Sequence, residues 1–208
     1  SLNDGQKWRM AYYEGGMYPD YQIIFIATIK GLINLGWVQD MEFPAEYNPD
    51  HKAFWEWFCA NAKSDYLEFV PDAFSSSDFD DEQRAVNKPA FIDRINTQQD
   101  IDLIFAMGTW AGQDLASEEV SVPVVVESSS NPVASGIIKS VEDSGWDHVH
   151  AKMEPDRYQR QVRLFHDIIG FSRLGIVYEE SEEGRTYGGI DDIELVAAER
   201  GFELVTCE

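Results

Sequence analysis

Three short segments gather small polar residues in a way that could hold a ligand: Glu14-Gly15-Gly16, Gly108-Thr109-Trp110 and Ser128-Ser129-Ser130-Asn131. Each follows an apolar run of strand length and precedes a segment with helical features. In an open parallel sheet such loops meet at the carboxyl edge of the strands, where ligands bind. A helix starting after each loop would present free N–H groups that favour a carboxylate or a phosphate. Thr109, Ser129 and Ser130 add hydroxyl donors, although a single Ser or Thr before a helix also serves simply as a cap. Trp110 reads either as a stacking surface for a ligand or as a ring packed between helix and sheet. Tyr12, Tyr13, Tyr18 and Tyr21 surround the first loop, and one or two of them are expected to line a pocket.

Covalent chemistry is poorly provided for. The sequence has no G-x-G-x-x-G dinucleotide fingerprint, no Walker phosphate loop and no G-x-S-x-G nucleophile elbow. A nucleophile among Ser128, Ser129 and Ser130 would need a nearby histidine, and the four histidines are His51, His148, His150 and His166. His148 and His150 would share a strand face, which offers a metal only two ligands. His166, beside the Phe165 stripe, reads as structural. Glu14 and Glu127 both end strands, but nothing fixes their separation, so no acid–base pair is assigned. The expectation is a protein that is not an enzyme and uses no cofactor and no metal.

The elements that must position these loops alternate between short apolar runs and amphipathic stretches, the pattern of parallel β/α units. Arg9–Tyr13 reads as the first strand, and a helix from Pro19-Asp20 to Leu35 ends at Gly36. Trp55, Phe58, Cys59 and Ala62 share a helix face, predicting a helix over Phe54–Lys63 with Cys59 as a small core residue. Leu67–Val70 is a short strand. Asp81–Asn96 is helical, with Pro89 expected to kink or divide it. Leu103–Met107 and Val122–Glu127 are buried strands, with a short helix from Trp110 or Ala111 between them. Asn131 caps a helix that starts at Pro132. A short strand lies between Gly145 and Lys152. Tyr158, Val162, Phe165 and Ile169 mark a helix stopped by Gly170. Leu174–Tyr178 is a strand, Thr186 or Tyr187 to Arg200 a helix, and Phe202–Thr206 a strand.

Composition narrows the function further. The 208 residues carry 38 acidic against 16 basic side chains, a formal charge of -22. Phosphate backbones and anionic membrane surfaces would be repelled, so no nucleic-acid partner is expected. Hydrophobic residues make up 44% of the chain and aromatic residues 13%, enough for a substantial core. Two cysteines, Cys59 and Cys207, exclude a disulfide scaffold and a four-cysteine zinc site. An exposed Cys207 thiol could cross-link copies. No run of about 18 apolar residues is present to span a bilayer. No signal peptide is seen, and the natural chain is expected to begin before Ser1 and to continue beyond Glu208.

Four segments, in order along the chain, resemble the substrate-binding proteins of ABC transporters, a family related to tryptophan- and tyrosine-binding lipoproteins. They are Gly31-Leu32-Ile33-Asn34-Leu35-Gly36-Trp37; the stretch Ile101 to Gln113; Val122 to Val126 with Ser130-Asn131-Pro132-Val133-Ala134-Ser135-Gly136; and Leu174 to Tyr178 with Ala197 to Val205. The resemblance implies an α/β type I periplasmic-binding-protein fold: two Rossmann-like lobes, each a parallel sheet flanked by helices, with ligand in the cleft between them. Residues 7–154 would form the first lobe, and residues 155–208 the start of a second lobe cut short. The implied function is that of an exported, periplasmic or cell-envelope receptor that closes on a small ligand and hands it to an ABC permease in the membrane. The alternative on the same fold is the ligand-binding sensor domain of a membrane signalling protein.

Carried over by position, the first-lobe ligand residues are Glu14, Gly15, Thr109, Trp110, Ser129, Ser130 and Asn131, to which the strand-end loops themselves add Tyr18, Gly108 and Ser128. Those of the second lobe are Glu179, Arg185, Thr186 and Tyr187. Three departures stand out. Ser130-Asn131-Pro132 replaces the family's Thr-Asp-Pro, Trp110 stands where relatives often carry Pro, and Glu14-Gly15-Gly16 is not typical of the amino-acid binders. With the first-lobe hydroxyls and Arg185 suited to a carboxylate, and Glu14 or Glu179 to an ammonium, the expected ligand is an amino-acid-like zwitterion or another carboxylate-bearing small molecule.

Overall fold

The computed structural model describes residues 2–207, Cys207 by its backbone alone. Ser1 and the Cys207 thiol lie outside the described residues. The chain opens with β1 (Trp8–Glu14), α1 (Pro19–Asn34), α2 (His51–Asn61), β2 (Leu67–Ser76), α3 (Asp81–Gln98), β3 (Leu103–Met107), α4 (Thr109–Leu115), β4 (Val124–Glu127) and β5 (Val149–Ala151). These five strands form one parallel sheet in the order β2-β1-β3-β4-β5. The order reverses at β1, so a crevice opens at the carboxyl ends of β1 and β3. Register aligns those ends: Glu14 lies opposite Met107, and Met107 opposite Glu127. Gly108 and Ser128, next in the chain, therefore leave the sheet side by side.

Alternation along the strands divides the core between the two faces. Met10, Tyr12, Phe105 and Met107 pack with Phe25 and Ile29 of α1 and with Trp55 and Phe58 of α2. Ala11, Tyr13, Ile104 and Ala106 pack instead with Ile92 and Ile95 of α3 and Leu115 of α4. Both faces are covered, which is why β3 and β4 read as continuous apolar runs.

The remainder comprises α5 (Arg157–Ile169), β6 (Arg173–Val177), α6 (Glu182–Gly188), α7 (Ile190–Arg200) and β7 (Glu203–Cys207). β6 and β7 form a separate parallel pair over a small core of Val196, Ala197 and Phe202. α5 buries none of its residues, and its Leu164 and Ile168 stand 61% and 70% exposed.

Several expected elements are placed differently. The helix over residues 54–63 begins instead at His51, because Asp50 caps it by accepting from the Ala53 N–H at 2.9 Å, and it ends at Asn61. β2 runs six residues past Val70 and contains Pro71. As the sheet's edge strand it tolerates the missing donor, with a shift of register between Met10 and Tyr12. Pro89 does not divide α3, which runs unbroken from Asp81 to Gln98 with the proline on its exposed face. α4 starts one residue early, at Thr109, with Gly108 in the N-cap position.

The helix expected from Pro132 does not form. Asn131 Oδ1 does accept from Ala134 N–H at 3.1 Å, but the chain closes after a single turn. Gly136, at φ +69°, lets Gly136 N–H reach Val133 O and Ile137 N–H reach Pro132 O, so Ile137 drops into the core. The single helix expected to reach Arg200 is likewise two. Gly189, at φ +62°, ends α6 before α7 begins, and a Cβ there would meet the Tyr158 ring at 2.7 Å.

Candidate ligand-binding cleft

A cleft of about 930 Å³ opens over the carboxyl ends of β3 and β4. Its size is in the range that encloses small-molecule ligands. One wall is polar: Thr109, Ser128, Ser129, Ser130 and Asn131. Thr109 is buried, and its hydroxyl lies 3.3 Å from that of Ser129. Ser128, at φ +61°, turns the chain sharply out of β4 so that three serines follow one another along the rim.

A second wall is aromatic. Tyr18 and Tyr21 come from the start of α1, Phe79 from the loop before α3, Trp110 from α4, Tyr158 from α5 and Tyr187 from α6. Tyr18 and Tyr21 meet edge to face with ring centroids 5.4 Å apart. Burial pushes the Tyr21 phenol above its ordinary range, helped by the Glu14 carboxylate. Burial does the same at Tyr187, where Glu183 adds to it and Arg84 and a hydrogen bond with Trp110 oppose it.

Trp110 is fixed from several sides. The Arg84 guanidinium sits 4.3 Å over its ring, and Phe79 meets it edge-on at 5.7 Å. Behind it is Gly15, where a Cβ would come within 2.6 Å of the Trp110 Cβ. Arg84 is anchored by the buried Asp114, which also accepts from the Tyr13 hydroxyl at 2.9 Å. Burial, then Asp114, raises the Tyr13 phenol. Trp110 thus lines the cleft while held in place by Arg84, Phe79 and, through Arg84, the buried Asp114.

The remaining lining is charged: Asp20, Lys152, Glu154, Asp156, Arg157 and Asp192. Beneath the polar wall lies Glu127, 6% exposed, with Thr28 Oγ1 donating to both carboxylate oxygens at 2.8 and 3.0 Å. Burial raises its pKa, while Thr28 and Lys152 work against the rise.

Of the residues the sequence put forward, Tyr18, Thr109, Trp110, Ser128, Ser129, Ser130, Asn131 and Tyr187 line this cleft. Gly15 and Gly108 lie behind it, the latter at φ +90° against the Tyr21 hydroxyl. Glu14, 1% exposed, is instead turned toward α2, where it accepts from the Tyr12 hydroxyl at 3.1 Å and sits 2.7 Å from His51 Nδ1. Arg185 is committed to Asp191 and to Glu194, the latter at 2.9 Å. Thr186 donates to Glu182 O at 2.9 Å, and Glu179 is an exposed residue outside the lining.

Sequence reasoning missed Phe79, Lys152, Tyr158 and Asp192, and Arg84 behind Trp110. No motif marks them. Among the described residues no group of three His, Cys, Asp or Glu side chains is arranged to hold a metal ion, and no helix is long and apolar enough to cross a membrane. His148 points to Leu115 O at 3.3 Å and His150 is exposed.

A parallel sheet with its crevice walled by a second β/α unit is the architecture of the type I periplasmic-binding-protein fold. Residues 74–208 match the model of the family described as ABC transporter substrate binding protein, and the chain belongs to that family, whose members are substrate-binding proteins and not enzymes. No curated protein matches it.

Solved structures with the same fold include the ABC domain from Streptococcus pneumonia in complex with L-Trp, at TM-score 0.65 and 18% identity, covering 97% of this chain and 57% of that one. A conserved domain protein from Vibrio cholerae gives TM-score 0.59 and 18% identity over 97% and 57%. A solute binding protein of an ABC transporter from Rhodopseudomonas palustris, in complex with 3,4-dihydroxybenzoic acid, gives 0.58 and 11% over 96% and 46%. The chain spans about half the length of these structures.

Proposed function

We propose that the protein is the solute receptor of an ABC importer, working outside the cytoplasm in the periplasm or cell envelope. It binds a small, amino-acid-like ligand in the cleft and delivers it to a membrane permease. Residues 7–154 act as the first lobe and residues 155–208 as the beginning of the second. The observation that carries this reading is the cleft itself. Thr109, Ser129 and Asn131 from one lobe face Tyr158, Tyr187 and Asp192 from the other across a ligand-sized space. Each set alone is half a site, so binding energy is complete only when the lobes close.

The ligands in two structures of this fold, L-Trp and 3,4-dihydroxybenzoic acid, are in keeping with the aromatic wall. A carboxylate would be met by the hydroxyls of Thr109 and Ser129 and by Lys152, since Arg185 is already paired.

The test is the melting temperature of the full-length gene product against amino acids, amines, organic acids, peptides and nucleotides. A ligand that binds only the native state adds RT ln(1 + [L]/Kd) to its stability. A rise with one small-molecule class supports the receptor. No rise with any of them removes it.

A further inference from the structure

The aromatic wall is continuous across both lobes. Phe79 meets Trp110 edge-on at 5.7 Å, Tyr18 meets Tyr21 at 5.4 Å, and Tyr187 lines the same cleft. Ring faces carry negative charge density and attract cations, above all where water is partly excluded.

The ionic lining has the same preference. Four carboxylates and two cations line the cleft, and one of the four, Glu154, is paired with Arg160 at 3.1 Å, which leaves Asp20, Asp156 and Asp192. Of the two cations, Arg157 already lies 3.9 Å from Glu154 and 5.6 Å from the Tyr158 ring. The field of Lys152 falls on the buried Glu127. Asp192 accepts only from the neutral amide of Gln159, at 2.8 Å, among the described residues, and Asp20 and Asp156 make no ion pair among them; the nearby Arg163, whose field reaches Asp156 and Asp192, is itself bonded to Glu199 at 2.8 Å. A chain with formal charge -22 adds a long-range field of the same sign.

We infer that the cleft selects its ligand by a positively charged amine seated on the Trp110–Tyr187–Tyr21 wall, with the open carboxylates as counter-charge, and that a carboxylate on the ligand is dispensable. The inference rests on reading this cleft as the ligand site and narrows its specificity.

The experiment measures binding of the full-length protein to matched trios by calorimetry. One trio is L-tyrosine, tyramine and 3-(4-hydroxyphenyl)propionate; the others are built in the same way on tryptophan and leucine. The amine without the carboxylate is expected to bind within about threefold of the amino acid, and the carboxylate without the amine at least about tenfold more weakly, the factor a cation–π contact supplies. Tyr187→Leu and Asp192→Asn should each weaken the amine and leave the melting temperature of the free protein near its starting value.

Equal or tighter binding of the carboxylate-only member overturns the inference and leaves the receptor reading standing. An amine that binds far more weakly than its amino acid also overturns it, because the carboxylate is then required. Failure of every member of every trio to bind overturns the inference together with the reading of the cleft.

Discussion

Arg84 lies over Trp110, its guanidinium carbon 4.3 Å from the indole ring, while its nitrogens hold Asp114 at 2.8 and 2.9 Å. A cleft-lining ring is therefore oriented through Arg84 by a buried carboxylate of its own helix, α4. Such a ring loses little freedom on binding, and this is where preorganisation contributes to affinity.

Replacing Arg84 by Met should reveal that coupling. Asp114 would keep the Tyr13 hydroxyl and Lys88 at 3.7 Å, but lose its close partner. Breaking a buried pair from one side is strongly destabilising, and Lys88 offsets only part of it, so a loss of about 2–4 kcal/mol is expected in urea unfolding. Adding Asp114→Asn should recover part of the stability, since no uncompensated charge remains. Recovery of stability without recovery of ligand affinity would separate the two roles of Arg84.

Two glycines should respond differently to alanine. Gly15 has ordinary backbone angles, so its methyl group is only a steric intrusion, 2.6 Å from the Trp110 Cβ and 3.3 Å from Phe79. Gly15→Ala should cost about 1–3 kcal/mol, shift the indole fluorescence and weaken ligand binding. Gly108→Ala suffers twice, because φ is +90° and the new methyl would overlap the Tyr21 hydroxyl. Its loss on unfolding should exceed that of Gly15→Ala, with about 1–3 kcal/mol from the backbone alone.

The pH dependence of stability carries two opposite signs. Hydrogen bonds from Arg9 lower the pKa of Asp102, and those from Arg94 lower that of Asp100. A lowered carboxyl stabilises the fold above the ordinary range of about 4, and that contribution is lost as pH falls through the folded value. Asp102→Asn should therefore destabilise at pH 7 and lose its effect in acid. Glu127 is raised by burial, so its ionisation opposes folding and the fold gains as pH falls through its folded value. Glu127→Gln, which keeps an acceptor for Thr28, should stabilise at pH 7, with the gain vanishing below the ordinary carboxylate range. Urea midpoints at a series of pH values check both.

Much of the frame was legible because its signals are local. The apolar run at Leu103–Met107, Gly36 behind α1 and Gly170 behind α5 each specify an element or its end without help from distant residues. The errors arose where a local signal was outweighed. Asn131 and Pro132 do begin a helical turn, but Gly136 closes it so that Ile137 can fill the core beside Gly112. Gly188-Gly189 breaks a segment whose apolar spacing alone continues to Arg200. The hydroxyl wall could be read, since strand ends in one sheet align. The aromatic and charged wall could not, because Phe79, Tyr158 and Asp192 reach the cleft from elements that only the tertiary fold brings together.

Thr109 and Arg185 separate a cleft residue from one that only shares the family pattern. The Thr109 hydroxyl is buried at the cleft wall beside Ser129, so Thr109→Ala should weaken ligand binding by about 1–3 kcal/mol, the cost of a hydrogen bond to a charged or strongly polar group. Arg185 is held by Asp191 and Glu194 outside the lining, and freeing it for a ligand would break both pairs. Arg185→Ala should therefore leave affinity within about twofold, a difference well under 1 kcal/mol. Calorimetry with the ligand found by thermal shift reads both variants. A large loss at Arg185 would mean that α6 turns its polar face into the cleft in the bound state, giving the ligand a cation that Asp191 and Glu194 hold here.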